Sequence, residues 1–513
     1  SSLVRNVEFR NVGPVNMSGR IVDFAVNEKD PTQFYAAYAS GGLFYTGNNG
    51  ITYNSIFDNQ IVLSIGDIAV QKDPNIIWVG TGENNSSRSS YSGVGLFKST
   101  DKGKSWEYMG LPESHHIGRI ILHPKNPNIL WVAALGHLYS ENEERGLYKT
   151  TDGGNSWKKT LYIDKNTGII DLIMDPANSD ILYAASWERD RRAWNFNESG
   201  NGSGIYKSID AGENWTKISG GESGFPDGEG IGRIGLTVFP GNTDILYAFL
   251  DNQFHRELKK ETSDGLSKDD LRLMSSEEFL SLEDNVIEEF LKENSFPEKY
   301  NLRSIKIMIS EGKIKPASLA EYIEDENSLL FDTPIIGAEL YRSDDGGKTW
   351  NKTHEGTLDG LIYTYGYYFG NVRVDPNNSD EVYLMGVPLL LSKDGGSEFK
   401  ALSSQNMHAD HQALWISPKR DGHLIDGNDG GINISYDKGE TWYKSNVPAV
   451  GQFYSINYDK AEPYNVYGGL QDNGVWYGPS TDNPEDSWFL RGRDNYERIG
   501  GGDGMMVEVD WRD

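Results

Sequence analysis

The sequence predicts an all-β protein in which four-stranded sheets repeat around an axis as the blades of a β-propeller. Two observations lead to this fold class. One eight-residue motif occurs seven times, at intervals of 43 to 58 residues except for one interval of 135 residues. Between copies, about four short apolar runs alternate with turn residues, a pattern that favours a propeller blade and does not fit a helical repeat.

The motif has the form Ser/Thr-x-Asp-x-Gly-x-Ser/Thr-Trp. Four copies are full and three are weaker: residues 99–106, 150–157, 343–350 and 435–442, then 46–53, 208–215 and 392–399. The Asp is expected to accept backbone N–H bonds within a turn, the Gly to supply the turn conformation, and the Trp to pack between sheets. We therefore expect a structural role for six aspartates: Asp101, Asp152, Asp210, Asp345, Asp394 and Asp437.

Each repeat is expected to open with the strand nearest the propeller axis. Such first strands are predicted near eight positions: Arg20, Asp67, Arg119, Ile169, Arg233, Asn371, Gln412 and Phe453. Residues 505–510 have the pattern of a ninth first strand without the rest of its blade, which predicts a chain that stops inside a repeat. A strand near residues 3–9 is expected to complete the last blade of the first ring.

The long interval contains an excess that matches residues 251–335, where apolar residues follow helical spacing. Residues 275–278, Ser-Ser-Glu-Glu, form a capping-box signature before a first helix. Further helices are predicted over residues 302–309 and 317–322. We expect this insertion within a blade to lie over one rim of the propeller, as a cap or a protein-contact surface.

The chain has 48 Lys and Arg against 76 Asp and Glu, a formal charge of −28. This excess argues against a nucleic-acid or anionic-lipid partner and favours neutral or cationic ligands. With no cysteine, disulfides, thiolate metal sites and a cysteine nucleophile are excluded. The sequence starts without the apolar segment of a signal peptide, so the protein is either cytosolic or its signal has been removed.

Several segments carry a family resemblance. They are residues 9–14 and 18–21, residues 408–415 around His408 and His411, the Gly-Asn-Asp-Gly-Gly of 427–431, and the Gly-Leu-Gln-Asp-Asn-Gly of 469–474. With the seven motifs, they resemble the Asp-box (BNR-repeat) propeller proteins, in particular the sortilin-like and BNR-repeat glycosyl hydrolase group of Bacteroidetes. The resemblance implies a secreted or cell-surface protein whose signal peptide has been removed. Because the Asp box occurs in proteins of many functions, it indicates fold and not chemistry.

The resemblance leaves two blade counts open. Residues 1–450 would form one seven-bladed Asp-box propeller, with residues 451–513 beginning a second, as in xyloglucan-active enzymes. Sortilin-type receptors instead close ten blades in one ring. We prefer two propellers, and we expect the ligand on the face formed by loops that precede first strands or follow second strands, opposite the Asp-box turns.

On that face, His408, Asp410 and His411 form the densest ionisable cluster, close to Asp429. Such a cluster could bind a metal, supply a general acid and base, or only stabilise its loop. Glycoside hydrolysis needs two carboxyl groups, and further candidates are Asp67, Asp171, Asp472 and Asp503. We select Asp410 and Asp472 as the catalytic pair, with His408 and His411. No cofactor is expected; Asp-rich loops suggest calcium, although no segment has the spacing of a calcium loop.

Two further sets are candidate ligand-binding residues. The Gly-Arg-Ile sequence recurs at Arg20, Arg119 and Arg233, which could converge on a carboxylate as in sialidases, or could reflect repeat ancestry alone. Exposed aromatic rings suit sugar stacking or peptide capture, and the candidates are Trp187, Trp194, Tyr365 and Tyr367, with packing within the protein as the alternative. Three functions stay open: a secreted glycosidase, a non-catalytic binding or assembly platform, and a receptor-like peptide binder.

Overall fold

The computed structural model describes residues 12, 19–71, 75–88, 90–192, 194–256, 266–297, 299–323, 335–402, 406–445, 448, 450–482, 495–510 and 512. These residues form eight four-stranded antiparallel sheets, one two-stranded sheet and five α-helices. The predicted all-β fold of four-stranded sheets with one helical insertion is confirmed.

The first four sheets are numbered in chain order. Sheet 1 contains β1 (Ile21–Val26), β2 (Phe34–Tyr38), β3 (Gly42–Thr46) and β4 (Asn54–Ser55). Sheet 2 contains β5 (Ile65–Val70), β6 (Ile77–Thr81), β7 (Leu96–Ser99) and β8 (Glu107–Tyr108). Sheet 3 contains β9 (Ile117–Leu122), β10 (Leu130–Ala134), β11 (Gly146–Thr150) and β12 (Lys158–Leu161). Sheet 4 contains β13 (Thr167–Met174), β14 (Leu182–Glu188), β17 (Gly204–Ser208) and β18 (Thr216–Lys217), and a side hairpin contains β15 (Asp190–Arg191) and β16 (Phe196–Asn197).

The other four sheets follow the same plan. Sheet 5 contains β19 (Ile231–Val238), β20 (Leu246–His255), β21 (Ile335–Ser343) and β22 (Asn351–Lys352). Sheet 6 contains β23 (Asn371–Asp375), β24 (Asn378–Met385), β25 (Leu389–Ser392) and β26 (Lys400–Ala401). Sheet 7 contains β27 (His411–Ile416), β28 (Leu424–Asn428), β29 (Gly431–Ser435) and β30 (Tyr443–Lys444). Sheet 8 contains β31 (Phe453–Tyr458), β32 (Asn465–Leu470), β33 (Gly474–Pro479) and β34 (Glu497–Gly500).

The first strands of neighbouring sheets contact each other in a closed circuit. The order of contact is β1, β5, β9, β13, β19, β23 and β27, and β27 contacts β1 again. Second strands such as β2, β6 and β10 are buried along their whole length, because each sheet packs between two others. All eight predicted first strands are present within one or two residues of the predicted positions.

Aspartates on the first strands bond these neighbouring strands together. Asp67 accepts the backbone N–H of Ile120 at 2.7 Å, and Asp171 accepts that of Leu236 at 2.9 Å. Arg119 lies between the two carboxylates and donates to both at 2.9 Å. These bonds join four consecutive sheets around the axis, so Asp67 and Asp171, which were carboxylate candidates in the sequence, are engaged within the structure.

The repeated motif forms the same hydrogen-bonded turn in each copy. In the second copy, Ser99 Oγ accepts the N–H of Gly103 at 2.8 Å, and Asp101 Oδ1 accepts the N–H of Ser105 at 2.9 Å. These bonds lower the pKa of Asp101 to about 2, with the Ser105 hydroxyl making the largest contribution. Equivalent bonds to an Asp carboxylate occur at five other positions: Asp152, Asp210, Asp345, Asp394 and Asp437.

The insertion between β20 and β21 is a compact unit of its own, residues 254–336. Its helices are α1 (Lys268–Leu273), α2 (Ser276–Ser281), α3 (Asp284–Glu293), α4 (Leu302–Ser310) and α5 (Ala317–Ile323). The predicted capping box is present, since Ser275 and Glu278 bond reciprocally. Helix α1 was not predicted from the sequence, although it has a capping box of its own that pairs Ser267 with Asp270. Each described helix is too short and too polar to cross a membrane.

Two predictions about the ends of the chain have different outcomes. Residues 505–510 do not form the predicted ninth first strand. They lie beside β31, where Ser455 Oγ and Asn457 Nδ2 donate to the carbonyl groups of Met505 and Val507. These are side-chain bonds, and no backbone ladder forms there among the described residues. The predicted strand near residues 3–9 lies outside the described residues.

Candidate active site

A cluster of ionisable side chains lies where five loops meet at one end of the circuit. Arg20 directly precedes β1 and Asp410 directly precedes β27, while Glu83 closely follows β6. Asp429 occupies the turn between β28 and β29, and Asp472 occupies the corresponding turn between β32 and β33 of sheet 8. All five therefore belong to the loops that were expected to carry the ligand.

Arg20 is the buried cation of this cluster. Its Nε lies 3.0 Å from Glu83 Oε1, and its Nη1 lies 3.7 Å from Asp429 Oδ2. The guanidinium carbon stands 4.8 Å from the ring centroid of Tyr368, whose hydroxyl donates to Asp429 Oδ2 at 2.8 Å. Burial alone would lower the pKa of Arg20, but the carboxylates of Glu83 and Asp429 raise it above its ordinary value. One buried cation thus interacts with the carboxylates of both Glu83 and Asp429.

Asp410 and Asp472 are half-buried, which leaves them open to a ligand. Burial, together with the charges of Asp429 and Asp472, raises the pKa of Asp410 to about 8 against the opposing effect of Arg20. Burial and the charge of Asp429 also raise the pKa of Asp472 to about 7. The carboxyl groups of Asp429 and Asp472 are within hydrogen-bonding reach of each other, so they can share a proton.

Sheet 8 closes one side of the cluster. Gln452 Oε1, just before β31, accepts from Arg20 Nη2 at 3.3 Å, and Asn473 Nδ2 donates to the Asp429 carbonyl at 3.2 Å. The backbone N–H of Asp472 is bound by Asp503 Oδ1 at 2.9 Å. Gln452 also lines an open cavity of about 340 Å³, which residues 40, 62–64 and 91–92 bound on the side of the first two sheets and residues 451–453 bound at the start of sheet 8.

Some buried polar atoms in the cluster have no hydrogen-bond partner among the described residues. They include Glu83 Oε2, Gln452 Nε2 and Asn473 Oδ1. A buried polar atom without a partner is costly, so such atoms are normally satisfied by water or a ligand. Because these three atoms have almost no accessible surface, buried water is the partner that suits them.

The two predicted histidines have different positions. His408 contacts Gly430 and stands close enough to Asp429 for its charge to lower the pKa of that carboxyl, so it borders the cluster. His411 is fully buried, and its Nδ1 lies 2.9 Å from both carboxylate oxygens of Asp426. A catalytic role for His411 is therefore not supported, because a ligand cannot reach it; its pairing with Asp426 stabilises the start of β27.

The three arginines of the Gly-Arg-Ile repeats do not form one clamp. Arg20 lies in the acidic cluster, Arg119 is bound between Asp67 and Asp171, and Arg233 donates to Asn85 Oδ1 at 2.9 Å. Each guanidinium already has partners at a different place along the first strands. The structure thus corrects the expectation that Arg119 and Arg233 bind a ligand, and leaves Arg20 as the one arginine at the site.

The four candidate aromatic residues also lie in different environments. Trp187 has no exposed surface, and its Nε1 donates to the Glu198 carbonyl, so it belongs to the core and not to a binding surface. Trp194 is 85% exposed. Tyr365 borders the acidic cluster, since burial and the charges of Asp410 and Asp472 raise the pKa of its hydroxyl. Tyr367 is packed against Phe196 and Tyr365.

Sequence reasoning missed Glu83, Tyr368 and Gln452. Glu83 closely follows a second strand, and the other two lie shortly before first strands, so the same loop rule that selected Asp410 also covers them. The sequence does not give the distances in space between these residues. Glu83 and Asp429 are far apart in the chain, and only the closure of the circuit places both beside Arg20.

Comparison with known proteins identifies solved structures with a similar fold. No family model matches the chain. The GH74 xyloglucanase from Xanthomonas campestris superposes on 91% of this chain and 60% of its own with a TM-score of 0.57 and 14% identity. An ancestral GH74 enzyme superposes on 91% of this chain and 54% of its own, with a TM-score of 0.56 and 15% identity.

One curated relative, a xyloglucanase of Paenibacillus sp, is 25% identical over 179 residues, which cover 31% of this chain and 16% of that protein. The chain thus spans less than two thirds of the length of each of these three proteins. The structural likenesses are too distant in sequence to show more than a shared β-propeller fold.

Proposed function

We propose that this protein is a glycoside hydrolase that cleaves a neutral glycan in the cleft between the circuit of seven sheets and sheet 8. The observation that carries the proposal is the meeting of Asp410 and Asp472, two half-buried carboxyl groups with raised pKa values, in one loop cluster where the charge of Asp472 acts on Asp410. Glycoside hydrolysis needs one carboxyl group that is protonated at working pH and another that is ionised.

The roles of the two carboxyl groups follow from their pKa values. Asp410, with the higher pKa, is the proton donor to the leaving-group oxygen. Asp472 loses its proton at lower pH and serves as the base or nucleophile on the other side of the scissile bond. The charge of Arg20 opposes the rise that burial causes in the pKa values of Asp410, Asp429 and Asp472.

Two observations indicate the substrate class. The formal charge of −28 disfavours an anionic polysaccharide. Likeness to xyloglucan-cleaving enzymes makes xyloglucan and related neutral β-glucans the first substrates to test.

The test compares the wild type with Asp410→Asn and Asp472→Asn on these glucans, using the release of reducing ends. We expect both variants to lose about a hundredfold or more of the activity while keeping the wild-type circular dichroism spectrum. Asp421→Asn is the matched control, because this carboxylate is 73% exposed and pairs only with Lys438 among the described residues. Binding without turnover, unchanged in both variants, would instead identify a glycan- or peptide-binding platform.

The architecture supports finer proposals. We infer that the seven sheets of the circuit form one complete seven-bladed Asp-box propeller and that sheet 8 opens a second. The closed contact between β27 and β1 supports this count over a ten-bladed ring. We also propose that the protein acts outside the cytosol, at the cell surface or in the medium, as expected for an enzyme on polymeric glycans; fractionation with an antibody tests this location.

A further inference from the structure

A second ionisable cluster lies in the loops of sheet 3, outside the proposed active site. Glu113 belongs to the short 3-10 helix Pro112–Ser114, His115 precedes β9, and His137 follows β10. His137 Nε2 lies 3.1 Å and His115 Nε2 lies 3.7 Å from the same oxygen, Glu113 Oε2. One ligand atom from each residue lies within 4.8 Å of the other two, and the imidazole rings stack with centroids 3.8 Å apart.

These distances fit a transition-metal site. Zinc binds histidine nitrogen and carboxylate oxygen at about 2.0–2.2 Å, so adjacent ligand atoms of a tetrahedral site stand about 3.3 Å apart. The two separations from Glu113 Oε2, 3.1 and 3.7 Å, lie on either side of that value. A set of two imidazoles and one carboxylate suits zinc and similar ions, whereas calcium requires oxygen ligands.

The backbone around the cluster is held by side chains that bridge its two segments. Asn142 Oδ1 accepts the N–H of His137 at 3.2 Å, while Asn142 Nδ2 donates to the Glu113 carbonyl at 3.0 Å. The buried Arg145 donates from Nη2 to the His137 carbonyl at 2.8 Å. A ligand set that is fixed before the ion arrives loses little conformational entropy on binding.

The second ring nitrogen of His137 also has a partner. Its Nδ1 lies 2.9 Å from Ser140 Oγ. When an ion takes the place of the Nε2 proton, the ring proton stands on Nδ1, where Ser140 Oγ accepts it; metal-binding histidines are commonly oriented by such a bond from their other nitrogen.

We propose that Glu113, His115 and His137 bind one divalent transition-metal ion of the zinc type, with solvent water as the remaining ligand. The Glu113 side chain is 60% exposed, so the ion and the water reach the site directly. The site stands apart from the proposed hydrolase chemistry. It is linked to that cluster through His116, whose Nδ1 lies 2.6 Å from the Glu83 carbonyl, so a bound ion would stabilise the loop beside Glu83.

The test titrates chelator-treated protein with Zn²⁺ alone by calorimetry at pH 7.5. We expect one ion per chain with micromolar or tighter affinity, and an affinity lower by about tenfold or more in each of three variants: Glu113→Gln, His115→Gln and His137→Gln. His255→Gln is the matched control, because His255 is an exposed histidine in a distant part of the sequence. Bound Co²⁺ should show the absorption of a tetrahedral complex with nitrogen ligands.

Two results would overturn the proposal. One is the absence of stoichiometric Zn²⁺ binding to the wild type. The other is binding that persists unchanged in the folded His115→Gln, His137→Gln double variant, which would place the ion among other acidic groups. Glu113→Gln keeps the test decisive if the histidine variants are unstable, because its exposed side chain contributes little to packing.

Discussion

Asp410 and Asp472 reach one site from different sheets, and both have a left-handed backbone, with φ of 67° and 59°. This conformation costs a non-glycine residue roughly 1–2 kcal/mol, and such strain is concentrated at functional sites. Asn tolerates the same conformation, which makes Asp→Asn the suitable substitution for testing chemistry without changing the backbone.

The pH dependence of the proposed hydrolysis follows from the two raised pKa values. Asp410 must keep its proton, so kcat/KM should fall as pH rises above about 8. Asp472 must be ionised, so kcat/KM should also fall as pH drops below about 7. We expect a bell-shaped profile with its maximum between these values. A profile with a maximum near pH 4 to 5 would contradict the assignment.

The burial of Asp410 also makes the stability of the protein depend on pH. The pKa of Asp410 is higher in the folded protein than in the unfolded chain, so the unfolded chain binds fewer protons between these two values. The contribution of this group to stability is complete below the unfolded pKa of about 3.9 and is lost as pH rises through about 8. The Tm of Asp410→Asn relative to wild type should therefore increase from pH 5 to pH 9. Asp421→Asn should show no such trend.

Removal of the buried cation, Arg20, should strongly destabilise the folded protein. Arg20→Met leaves Glu83 and Asp429 buried without their opposite charge, and breaking such a pair costs about 3–5 kcal/mol. Urea unfolding measures this loss. Double substitution of Arg20→Met with Glu83→Leu should restore part of the stability, because it removes a buried charge together with its partner. An additive loss in the double variant would show that the pair is not coupled.

The bonds around the axis should be essential to the fold but not to the chemistry. Asp67→Ala removes the acceptor of the Ile120 N–H and one partner of Arg119, so we expect a loss of about 3–5 kcal/mol. The pH profile of the remaining folded enzyme should keep the wild-type shape. A shift of either limb would mean that Asp67 belongs to the catalytic machinery.

The repeated turns give a smaller and local prediction. Ser99 is buried, and Ser99→Ala removes the acceptor of the Gly103 N–H, which should lower the free energy of unfolding by about 1–2 kcal/mol. The exposed Ser310, at the end of a helix in the insertion, provides the control variant Ser310→Ala. Equal losses in both variants would rule out a special role for the turn.

Much of the fold was predictable because it depends on local patterns. The motif copies located the turns, alternating apolar runs located the eight first strands, and helical spacing located the insertion. The strand predicted at residues 505–510 was wrong because its apolar alternation has no backbone partner in the described structure. Pairing depends on a neighbour, which a single segment does not reveal.

The sequence alone determined the propeller class, the structural role of the repeated aspartates and the candidate pair Asp410 and Asp472, since each follows from spacing along the chain. Tertiary structure decided which charged residues share a site. Closing the circuit put Arg20 beside Asp429, buried Trp187 and His411, and separated Arg119 from Arg20. It also brought His115 to His137. The physical reason is that burial and electrostatic interaction depend on distance in space, which chain separation does not specify.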